Sequence, residues 1–97
     1  MSAIRILRKN EVTQITGLSN TTIYERKKAG LFPTSISLGG RAVGYLNHEV
    51  AALLAALAAN YTDDEIKQLV KLMLEQRKQT ASVFMTALTS NDGGAQL

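Results

Sequence analysis

Cysteine is absent from the 97-residue chain, which excludes disulfides and thiolate chemistry and removes the usual ligands of structural zinc. Histidine occurs once, as His48, with no Cys, His or carboxylate cluster at ligand spacing, so no metal site is expected. Glycine-rich phosphate loops of the Walker or dinucleotide type are missing, and no nucleophile motif accompanies the lone histidine. Catalysis and a bound cofactor are therefore not expected. Long apolar runs are missing too: the longest, Val50 to Ala59, is about half of the roughly 20 residues a membrane-spanning helix needs. It reads as a buried helix. The first residues, MSAIRIL, contain no apolar stretch of signal-peptide length before the charged RKNE segment, which favours a cytoplasmic protein of the bacterial nucleoid rather than a secreted or membrane one.

What is present is an ordinary globular composition, 45% apolar and 20% charged, enough for one small domain and a trailing helix. Its charge is unevenly placed. Through Leu46 there are seven basic residues against two acids, a net +5, whereas from Asn47 onward four basic residues face six acids, a net −2. A basic first half suits a polyanion, because clustered Lys and Arg displace the counterions of duplex DNA; solvated surface charge is the plainer alternative.

Ile4 to Leu7 forms a β-prone run that needs a partner strand. NEVTQIT then predicts a two-turn helix with Asn10 as its cap, Val12 and Ile15 on its inner face and Gly17 as its end. Ser19 caps a second helix, NTTIYERKKAG, closed by Gly30 and carrying Lys27 and Lys28 in its last turn, where the helix dipole favours them. A helix, a short glycine-containing turn and a second helix make a helix-turn-helix, which also occurs in proteins that never touch DNA. Pro33 ends the helical stretch. Ile36 to Leu38 and Ala42 to Leu46, joined at Gly39 and Gly40, predict a β-hairpin with Arg41 at its tip. Asn47 is expected to cap a third helix with Val50, Leu53, Leu54 and Leu57 on one stripe. Thr62 and Glu65 have the spacing of a capping box and open a fourth helix, expected to reach about Leu88.

These elements predict a mostly α chain with a small β-hairpin: a winged helix-turn-helix over 1–59, a C-terminal helix over 60–89 and a flexible tail over 90–97. Ile66, Leu69, Val70 and Met73 form an apolar stripe on the fourth helix. It either packs back on the first domain or pairs with a second copy, and the latter is favoured, making these four residues the expected dimerisation set.

Turning Ile23 inward with Val12, Ile15, Leu18 and Leu31 rotates Asn20, Thr21, Tyr24, Glu25 and Lys28 outward. Asn20, Thr21, Tyr24 and Glu25 are then the candidate base readers, since Asn pairs with adenine, Thr meets a thymine methyl and Glu accepts from a cytosine amino group. Arg8, Arg26, Lys27, Lys28 and Arg41 are the candidate phosphate ligands. Tyr24 has an alternative place over the wing, Arg26 an alternative ion pair with Glu11 or Glu25, and Thr22 reads better as part of the cap than as a base reader.

The stretch from Ile4 to about Ala58 resembles the AlpA-like phage and prophage regulators, a branch of the winged-helix group that includes MerR-type regulators and small excisionases. The similarity is carried by GLSNTTIY, by GLFP after the second helix and by LGGRAVGY in the wing. It implies a small DNA-binding protein that regulates mobile-element genes, or directs an integrase toward excision, with RNA polymerase or integrase as protein partner. Members often carry basic residues where this chain has Asn20 and Glu25, so base preference does not transfer. Tyr45 stands where the wing more often has tryptophan, which keeps an aromatic filler. A protein-interaction module without DNA binding is the third reading.

Overall fold

Ser19, Thr62 and the turn glycines place most of the element boundaries. The structure, a computed structural model, describes residues 4–94 and, in the last helix, side chains as far as Thr89. Strand β1 (Ile6–Leu7) leads into α1 (Lys9–Thr16) and α2 (Asn20–Lys28); the hairpin β2 (Ile36–Ser37) and β3 (Val43–Leu46) follows, then α3 (Asn47–Ala58) and α4 (Asp63–Gly94). The fold is the expected mostly helical winged helix-turn-helix with a long C-terminal helix.

Gly17 closes α1 in the left-handed conformation, its N–H bonded to the Thr13 carbonyl, which a residue with a Cβ adopts only at a penalty. The start of α1 differs from expectation. Asn10 lies inside the helix, and the Glu11 carboxylate does the capping, accepting from the Arg8 N–H at 2.8 Å while its other oxygen takes the Arg5 guanidinium at 3.2 Å. Ile15 is half exposed. Thr16, one turn after Val12, takes the inward place and bonds its hydroxyl to the Val12 carbonyl. Asn47 likewise is no cap: it opens α3, and its side chain and N–H bind the two backbone groups of Arg5. That exchange supplies the partner β1 needed, since β1 pairs antiparallel with β3 (Leu7 opposite Tyr45), and β2 pairs with the other edge of β3 (Ile36 opposite Gly44).

The core lies where the sheet, α1, α2 and α3 converge. Phe32 and Tyr45 meet edge to face, ring centroids 5.8 Å apart, and Leu7, Val12, Ile23, Val50 and Leu53 fill the space around them. Asn60, left-handed at φ 63°, ends α3 together with the Tyr61 N–H, which bonds the Ala56 carbonyl. The Thr62–Glu65 capping box forms as predicted, each residue's side chain accepting from the other's N–H.

The first half of α4 corrects the dimerisation set. Ile66, Val70 and Met73 are buried in the core of their own chain, with Leu69 packed partly against it, so they are not available to a second copy. The apolar stripe was read correctly, but its partner is α3. One ion pair locks this arrangement: Arg77 holds Glu49 through two bonds, Nε to Oε2 at 2.8 Å and Nη2 to Oε1 at 2.6 Å, and also donates to the hydroxyl and carbonyl of Thr34. Helix α4 continues to Gly94, past the expected end near Leu88; residues 95–97 of the expected tail lie outside the described residues.

Candidate nucleic-acid interface

The amino end of α2 is the centre of the site. Ser19 accepts from the Thr22 N–H at 3.1 Å and donates its own hydroxyl to that of Thr22, so Thr22 belongs to the cap. No acid occupies the first turn of α2, while Arg26, Lys27 and Lys28 fill its last. The positive end of the dipole is therefore left uncompensated, as an approaching anion requires.

With Ile23 buried, Asn20, Thr21, Tyr24, Glu25 and Lys28 all face solvent, the rotation inferred from the sequence. Tyr24 projects from the helix instead of filling space under the wing, 58% exposed, and the Lys28 ammonium lies 5.3 Å from its ring centroid. That stacking orders two long side chains on the outer face before any ligand arrives.

The five expected phosphate ligands divide into two groups. Arg8, Lys28 and Arg41 are exposed. Lys27 is turned inward: its ammonium donates to the Tyr45 hydroxyl at 2.9 Å and sits 5.2 Å from the centre of that ring, which ties the end of α2 to the root of the wing. Arg26 is also partly buried, with Nε and one terminal nitrogen shielded from solvent and, among the described residues, without a hydrogen-bond acceptor. It makes neither ion pair weighed for it: Glu11 is taken by Arg5, and among the described residues no bridge joins Arg26 to Glu25. Neither residue is presented as a phosphate ligand.

A surface concavity of about 450 Å³ joins two of the exposed cations, Arg8 and Arg41, while Lys28 lies outside it. Arg8 and Lys9 line it from the start of α1, Asn20 from the start of α2, and Arg41 from the hairpin turn. These residues lie up to 33 positions apart in the chain, and the sheet brings them together because β1 and the wing share β3. No carboxylate is among the lining residues. Lys9 was missed by sequence reasoning; its only signal was membership of the basic first half. The turn that presents Arg41 is tight, closed by the Ala42 N–H to the Gly39 carbonyl, with Gly39 and Gly40 both at positive φ.

Residues 5–55 match the family described as "Prophage CP4-57 regulatory protein (AlpA)". That span contains β1 through most of α3, and with them every residue of the concavity, while α4 lies outside it. The chain is also 47% identical over 55 residues to "Uncharacterized protein ORF88" of Enterobacteria phage P4, an alignment covering 57% of this chain and 62% of that protein. The chain thus spans less than two thirds of the length of this relative. No solved structure matches it.

Proposed function

Because this chain belongs to the AlpA family of prophage regulatory proteins, we propose that it binds double-stranded DNA, setting α2 in the major groove and the hairpin tip against the flanking backbone. Through that binding it regulates transcription of phage or mobile-element genes, acting in the cytoplasm on the bacterial nucleoid. The observation that carries the reading is the acid-free concavity where Arg8, Lys9 and Arg41 converge beside the open amino end of α2. Arg8, Lys9, Lys28 and Arg41 neutralise phosphates and set the register; Asn20, Thr21, Tyr24 and Glu25 meet base edges.

Electrophoretic mobility shifts over a salt series test the first part. Each phosphate contact adds about 0.9 to the slope of log affinity against log salt, so the Lys28→Ala/Arg41→Ala variant should flatten that slope by roughly 2. It should also weaken binding to every sequence. A slope equal to the parent's would remove both residues from the backbone contacts, and no duplex binding even at low salt would leave only the protein-interaction reading.

Thr21→Ala and Tyr24→Ala should behave differently, altering the preferred site selected from a random duplex library. Discrimination at the affected base pair should fall by about 1–3 kcal/mol. Uniform losses on all duplexes would identify Thr21 and Tyr24 as backbone contacts and not readers.

A further inference from the structure

The apolar face of α4 continues beyond the domain that covers its first half. Ile66, Val70, Met73, Arg77, Thr80, Phe84 and Ala87 recur at alternating intervals of four and three, the seam by which one helix packs along another. As far as Arg77 this seam is closed by α3, whose first turn supplies Glu49. Helix α3 begins at Asn47, so beyond Arg77 no helix of the same chain, among the described residues, lies against it.

There the exposure is large. Phe84 on the seam and Val83 and Leu88 beside it are each 60 to 66% exposed, while Gln79, Ser82, Thr86 and Thr89, with Met85 at its edge, form the opposite face. Between this part of α4 and the body runs a groove of about 460 Å³, with Ile4, Ile36 and Leu46 on one wall and Thr80, Ala81 and Phe84 on the other. It shares no lining residue with the cationic concavity.

Charge narrows the occupant. From Gln79 through Asn91 the sequence has no charged residue, in a chain that is 20% charged. A nucleic acid needs cations here, and a membrane-surface helix carries Lys or Arg along its polar face. Neither is present. The centre of a homodimer, by contrast, is depleted of charge and meets its own patch across a two-fold axis.

We propose that this surface is covered by the same surface of a second copy, two α4 helices crossing antiparallel near Phe84 so that each distal end lies over the other's groove. The area is sufficient. At these exposures each large side chain offers on the order of 100 Å², and with the groove walls the pair buries about 1,000 Å², in the range of weak, reversible interfaces. Such a dimer is weak and reversible, and it leaves both cationic concavities uncovered. The inference does not depend on the DNA reading, and its test contains no DNA.

Sedimentation equilibrium of the full chain from low to high micromolar concentration should show a monomer–dimer equilibrium. Phe84→Glu and Leu88→Glu should each weaken it at least tenfold while leaving the circular dichroism spectrum unchanged, since neither side chain is in the core. The lack of native cysteine permits spin labels at Gln79→Cys or Thr86→Cys, two positions on the polar face. An antiparallel crossing near Phe84 makes the interlabel distance clearly longer at 79 than at 86. A monomer at every concentration, a dimer indifferent to Phe84→Glu, or equal distances at the two labels would overturn the proposal. So would a chain that never self-associates but binds purified integrase or RNA polymerase through Phe84.

Discussion

Arg77→Ala is expected to lower folding stability by about 3–5 kcal/mol, the usual consequence of stranding one member of a buried ion pair. The Glu49 side chain is only 3% exposed, and Arg77 is the group that bonds both of its oxygens. Removing the guanidinium leaves a carboxylate under the protein surface without the charge that offset its desolvation. The same change strips the Thr34 carbonyl and hydroxyl of their donor. For a domain of this size the loss corresponds to a fall in melting temperature on the order of 15 °C or more. Urea denaturation followed by circular dichroism measures it directly. The control is the double replacement Glu49→Leu/Arg77→Leu, which should recover most of the loss, because apolar side chains of similar volume often substitute for a buried pair without penalty. A drop under about 1 kcal/mol for Arg77→Ala would mean that water, and not arginine, satisfies Glu49.

The second large effect is expected at Gly44. This residue is buried in β3 between the two other strands. A Cβ placed there collides with Cγ2 of Ile6 and comes within 3.2 Å of Leu38 Cδ1 and 3.3 Å of the Leu7 carbonyl oxygen. Ile6 cannot swing away easily, since a β-branched side chain is stiff at its first torsion, and the Leu7 oxygen belongs to the backbone. Gly44→Ala should therefore force β1 and β3 apart and cost about 2–3 kcal/mol, in the range of overpacked cores. Because β3 carries the wing, duplex affinity should fall further than the stability loss alone explains, even at temperatures where the variant stays folded. Parental stability in urea would show that the sheet yields at that position.

The local features were legible because they rest on neighbours in sequence. Ser19 and its cap, the Thr62–Glu65 box and the Gly39–Gly40 turn each need only residues a few positions apart. The outward rotation of Asn20, Thr21, Tyr24 and Glu25 followed from the single fact that Ile23 is apolar and must be buried. Where a side chain had a distant partner, the local rule failed. Asn47 has the chemistry of a cap but serves β1, 42 positions from Arg5; at α1 the failure was local, Glu11 and not Asn10 bonding the Arg8 N–H. Lys27 looked like a surface cation until Tyr45, 18 positions away, claimed it. Glu49 and Arg77 are 28 positions apart, and nothing in either segment distinguishes them from solvated surface charges. The stripe on α4 illustrates the remaining ambiguity: a 4-3 spacing suits a helix of the same chain as well as a helix of another, so periodicity identified the face but not what covers its first half.

The bond from Lys27 to Tyr45 bears on the spacing of any operator. It braces α2 against the root of the hairpin, which couples the two like the jaws of one caliper. On the reading proposed here, a single base pair inserted between the segment under α2 and the segment under Arg41 shifts one jaw about 3.4 Å along the duplex axis and rotates its target around it.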